Sequence, residues 1–72
     1  MFRIDINKLN GKIVEKGTTK EAIADKIGVD RSTFYRRLKT SKLLIRDIHI
    51  MCDILGLSDE EALAIFLVRQ SQ

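Results

Sequence analysis

Two short apolar-periodic segments meet at Gly28-Val29-Asp30, inside the run TKEAIADKIGVDRSTFYRRLK of residues 19–39. Before this joint, Ile23, Ala24 and Ile27 recur at helical spacing and define one apolar face. After it, Phe34 and Leu38 lie four apart and define another. Gly28 follows the last apolar position of the first segment, where helices end in left-handed backbone that glycine adopts without strain. Val29 can plug the turn, and Ala24 is small enough to let a second helix approach closely. Helices joined by so few residues must cross steeply, which predicts a helix-turn-helix over 19–39.

The rest of the chain has room for little else. Seventy-two residues form one domain with one modest core. With a single cysteine, Cys52, no intramolecular disulfide can staple it. Cys52 lies in an apolar run and reads as a small buried hydrophobe. There is no proline and no repeat, so glycines punctuate the chain: Gly17, Gly28 and Gly56 each follow an apolar-periodic segment. Gly11 instead falls inside the first helical pattern, where it weakens the helix by roughly 1 kcal/mol relative to alanine. The pattern predicts five helices, at about 6–16, 20–27, 31–39, 45–55 and 58–68. Asp5, Thr18 or Thr19, and Asp30 are candidate caps for the first three, and Ser58-Asp59-Glu60-Glu61 is a capping box for the fifth. Phe2-Arg3-Ile4 alternates like a strand but could equally be an arm. The fold class expected is all-α, a compact five-helix domain.

The outward face of the third helix carries the chemistry. With Phe34 and Leu38 turned to the core, Ser32, Arg36 and Lys39 point away, and Tyr35 and Arg37 lie on the flanks. From Arg31 to Lys42 there are five basic residues and no acidic one. Eight or nine helical residues span about 12–14 Å, and the major groove of DNA is about 12 Å wide. Arg36 can meet a guanine edge with two hydrogen bonds, Arg31 can reach a base or a phosphate, and Ser32 suits either. Lys20, Lys39 and Lys42 are phosphate neutralisers, and Tyr35 can stack or bond a phosphate. Thr19 and the first amides of the second helix can hold a phosphate at a positive helix terminus. The charge balance points the same way. Residues 1–46 hold twelve Lys/Arg against five Asp/Glu, a balance of +7, whereas residues 47–72 hold one against five, a balance of −4. A basic half joined to an acidic half implies two faces with different partners.

Ala24, Gly28, Val29 and the apolar pair after the turn resemble the helix-turn-helix of the Cro and repressor family of temperate phages. One departure is Arg37, where that family usually has an apolar residue; Leu38 takes its place. Over the whole chain, including INKLNGKIVEKGTTKEAIADKIG and LSDEEALAIF, the sequence is similar to the small early-lytic regulators of phages of lactococci and streptococci, modulators of repression among them. The resemblance implies a fold of the Cro or repressor N-terminal type, a place at a lysis–lysogeny switch, and a phage CI-type repressor as partner in addition to operator DNA.

Elsewhere the residues support binding and not catalysis. Ile48, Met51, Cys52 and Leu55 form one apolar stripe, Ile50 and Ile54 a second, and 64–68 is apolar on more than one side. Part of this belongs to the core; the surplus, with Ile50, Ile54, Ile65 and Val68 as candidates, would form a protein–protein surface for the repressor or a homodimer. His49 has no second His or Cys at ligand spacing, so no metal is expected, and no cofactor or small-molecule substrate either. The carboxylates of 59–61 are explained by the cap, and no nucleophile–base pair or phosphate-cradling glycine loop occurs. Nothing reads as an enzyme. No apolar stretch approaches the roughly 20 residues of a membrane span, and Met1-Phe2-Arg3-Ile4-Asp5 lacks the apolar core of a signal peptide, so the cytoplasm of the bacterial host is the expected location. Two functions follow: an antirepressor that binds the repressor and also carries a DNA-binding helix, or an autonomous Cro-like repressor acting as a dimer.

Overall fold

The computed structural model describes residues 2–69. Five helices follow one another, α1 (Ile6–Glu15), α2 (Lys20–Ile27), α3 (Arg31–Lys39), α4 (Ile45–Leu55) and α5 (Asp59–Phe66), between two short strands, β1 (Phe2–Arg3) and β2 (Val68–Arg69). The starts of the helices are dictated locally. Asp5 caps α1 by accepting from the Lys8 amide at 3.0 Å, and Thr19, not Thr18, caps α2 by accepting from the Ala22 amide at 3.1 Å. At α5 both bonds of the capping box form: Glu61 N donates to Ser58 Oγ at 3.2 Å and Ser58 N to Glu61 Oε1 at 3.0 Å. Asp30 takes the expected N-cap position of α3 but makes no side-chain bond to a backbone amide; its carboxylate accepts from the Thr33 hydroxyl. Gly28 and Gly56 close α2 and α4 at φ 92° and 59°, both left-handed. The end of α3 has no glycine. Ser41 takes the left-handed position at φ 54°, and its hydroxyl accepts from the Ile4 amide at 3.2 Å.

The core collects one face from each helix: Leu9 and Ile13 of α1, Ile23, Ala24 and Ile27 of α2, Phe34 and Leu38 of α3, Met51 and Leu55 of α4, Ile65 and Phe66 of α5, with Ile4 closing one end. Each fully buried Leu, Ile or Phe contributes about 1.5–3 kcal/mol. Cys52 is half-buried at the edge of this core, and burial followed by nearby Asp53 and Asp59 pushes its thiol up. Arg46 of α4 donates to the carbonyl of Ile27 at 3.0 Å, satisfying an end group of α2 and fastening α4 beneath the turn.

The all-α expectation needs one amendment. Phe2-Arg3 is a strand and pairs antiparallel with Val68-Arg69, Phe2 opposite Arg69 and Arg3 opposite Val68. Accordingly α5 stops at Phe66, not Val68, because Leu67 (φ −130°, ψ 53°) turns the chain out of the helix to meet β1. The Arg69 guanidinium lies over the Phe2 ring at 5.9 Å, and the Asp5 amide donates to the Ile65 carbonyl at 2.7 Å, so the strand pair and this bond tie the start of the described chain to α5 and β2. Among the described residues no helix is long and apolar enough to cross a membrane, and no group of three His, Cys, Asp or Glu side chains could hold a metal ion.

Candidate nucleic-acid interface

Burial of Phe34 and Leu38 sets the roll of α3, and so decides what the helix shows to solvent. Arg31, Ser32, Tyr35, Arg36 and Lys39 are all exposed, and Lys42 continues the basic face from the following loop. Helical spacing placed Arg36 on the outward face and Tyr35 and Arg37 on its flanks. Arg37 turns inward: its Nη1 donates to Asp47 Oδ2 at 3.0 Å, and that carboxylate is fully buried. Asp47 Oδ2 also accepts from the Leu44 amide at 3.1 Å, which caps α4 from within. Position 37, beside the core residue Leu38, is thus filled by half of an ion pair. Arg36 remains exposed on the outer face. Together Arg36, Arg37, Thr40 and Lys42 line an open concavity of about 340 Å³ at the C-terminal end of α3, suited to a phosphate.

At the opposite end, the N-terminus of α2 lies against Tyr35. Lys20 Nζ sits 5.5 Å from the centre of the Tyr35 ring. Thr19 uses its oxygen as a cap. A carboxylate, that of Glu21 in the first turn of α2, stands beside the expected phosphate niche at this helix terminus. Glu21 is drawn below the usual carboxylate range, first by its own backbone amide and next by the Tyr35 hydroxyl, with Arg31 adding to it. Its Oε2 accepts from Tyr35 Oη at 3.1 Å and from Arg31 Nη1 at 3.3 Å. Burial, followed by Glu21, raises the Tyr35 phenol above its ordinary value. The sequence marks Glu21 only as a carboxylate in the first turn of α2, and it marks neither Glu21 nor Asp47 as a partner of α3. Glu21 is adjacent to Lys20, yet nothing in its spacing shows that it reaches a residue fourteen positions on.

The apolar surface is not where the stripes placed it. Ile65 is 2% exposed and belongs to the core, because α5 rolls this residue towards α1. Ile50 and Ile54 are half-buried against the core, and Val68 is half-buried in the strand pair. Among the described residues the aliphatic side chains left to solvent around α4 and α5 are Leu44, Ile45, Leu63 and Leu67, with Ile45 71% exposed; Phe2 of β1 and Val14 of α1 are exposed as well. Ile45, Leu63 and Leu67 border an open, mostly apolar concavity of about 450 Å³ between α4 and α5.

Comparison with protein-family models, with curated proteins and with solved structures finds no match to this chain.

Proposed function

We propose that the protein is a helix-turn-helix transcriptional regulator of a phage lysis–lysogeny switch, an antirepressor that binds a CI-type repressor and also meets double-stranded operator DNA through α3. The observation that carries the DNA-binding part is the exposed face of Arg31, Ser32, Arg36, Lys39 and Lys42, a stretch without a single acidic residue. Phosphate neutralisation by the lysines supplies most of the affinity, and Arg36 supplies base discrimination. The repressor-binding part is favoured by the uncovered Leu44, Ile45, Leu63 and Leu67, more apolar surface than a DNA reader needs. The second reading is an autonomous dimeric repressor, in which that surface joins two copies and sets half-sites about 34 Å apart.

A salt titration separates the two. Purified protein is titrated against switch-region operators and a scrambled duplex, alone and with the repressor. Operator preference by the protein alone, falling steeply with salt, supports the autonomous repressor. Weak binding alone and co-elution with the repressor support the antirepressor. Where Arg36 reads a base, Arg36→Ala should lower specific DNA affinity by about 1–3 kcal/mol; unchanged operator affinity in that variant excludes Arg36 as a base reader.

A further inference from the structure

An acidic side chain stands on a face otherwise built for an anionic ligand. Glu21 holds the hydroxyl of Tyr35 at 3.1 Å and the guanidinium of Arg31 at 3.3 Å. Tyr35 is further confined by Lys20 over its ring at 5.5 Å. A tyrosine hydroxyl has one proton to donate. While that proton is given to Glu21, only oxygen lone pairs remain on the side turned to a ligand. Phosphate oxygens, guanine N7 and O6 and thymine O4 are all acceptors and gain nothing from such a group. In the major groove only the exocyclic amines of adenine and cytosine present an N–H.

We propose that Glu21 is a positioning residue for base readout: it fixes the Tyr35 hydroxyl as an acceptor, so that Tyr35 selects an adenine or a cytosine and does not bond a phosphate. The inference rests on the reading of α3 as the DNA-facing helix and specifies its chemistry. Glu21 also repels a phosphate from the N-terminus of α2, leaving the backbone to pass the Arg36–Lys42 end of the face, where Arg36, Arg37 and Lys42 line one concavity. Glu21 keeps its charge through the neutral range, since its own amide, Tyr35 and Arg31 all hold the carboxyl below its ordinary value.

The test uses the full chain and three variants, with circular dichroism confirming that each folds. Wild type, Glu21→Gln, Glu21→Ala and Tyr35→Phe are used to select duplexes from a randomised pool. Wild type should prefer adenine or cytosine at one position by roughly three- to tenfold, the worth of one hydrogen bond. Tyr35→Phe should lose preference at that position alone. Glu21→Gln keeps a carbonyl oxygen that accepts the hydroxyl proton, and should retain it. Glu21→Ala frees the proton, and guanine or thymine should then be accepted equally. Preference in wild type that neither Tyr35→Phe nor Glu21→Ala alters overturns the role of Glu21 and leaves α3 as the reader. No preference at all in wild type removes the reading of α3, and the inference with it. A DNA-free check is available because Tyr35 is the only tyrosine. An ultraviolet titration reports its phenol alone, which should ionise at lower pH in Glu21→Ala than in wild type; an unchanged curve shows that the bond is absent in solution and overturns the proposal.

Discussion

Asp47 joins the side chain of Arg37 in α3 to the start of α4. It is fully buried, one oxygen serves both Arg37 and the Leu44 amide, and the other has no partner among the described residues. Removing one member of a buried ion pair strands the other, whereas replacing both by apolar groups is often neutral. Asp47→Ala should therefore lose about 2–4 kcal/mol in urea unfolding, since Arg37 is half-buried and the α4 cap goes with it. Arg37→Leu combined with Asp47→Leu should recover to within about 1 kcal/mol of wild type, the remainder being the lost cap. A double variant as unstable as Asp47→Ala would mean that the pair contributes net attraction of its own.

At the scale of elements, two glycines should respond in opposite directions to the same change. Gly11 lies within α1 with open space where a Cβ would be, so Gly11→Ala relieves only helix entropy and should stabilise by up to about 1 kcal/mol. Gly28 also has open space, but its φ of 92° is left-handed, so Gly28→Ala should destabilise by about 1 kcal/mol or more. For a domain of this size each kcal/mol moves the melting temperature by about 4–8 °C. Melting curves that moved the same way in both variants would contradict the assignment of Gly28 to the turn. The turn is what aims α3, so under the proposed DNA-binding function Gly28→Ala should also weaken operator binding at temperatures where the variant remains folded.

The whole molecule is closed by contacts between its two ends. Lys12 of α1 pairs with Glu61 of α5, and β1 pairs with β2. Glu61 sits at about 2 in the folded chain against an ordinary 4.5, because Lys12 and then the Ser58 amide hold its charged form. A carboxyl depressed on folding adds stability that is complete above about pH 4.5 and fades as the pH falls towards 2. Glu21 and Asp30 are depressed as well and act in the same acid window. Thermal stability should thus drop on acidification below about pH 4.5, and Glu61→Gln, which keeps an oxygen for the cap, should show a shallower drop. Identical pH profiles would show that the Lys12–Glu61 contact is not made in solution.

Much of this was legible in the residues because it is local. The caps at Asp5, Thr19 and Ser58, the left-handed stops at Gly28 and Gly56, and the apolar repeats that bury Phe34 and Leu38 all depend on neighbours within four or five positions. Periodicity names a face, however, and not what covers it. The inward turn of Arg37 needed Asp47 ten positions away, the hydroxyl of Tyr35 needed Glu21 fourteen away, and the left-handed Ser41 is engaged by Ile4 across 37 residues. Ile65 proved to be core because the all-apolar end of α5 has no polar side to mark its roll. The exit of the chain at Leu67 was decided by a strand partner at the far end of the sequence. Sequence alone determined the helices and the turn between α2 and α3, whose signals are short-range. The polar pairs that orient the side chains on the outer face of α3, and the choice of which apolar side chains stay uncovered, were decided only when distant segments packed together.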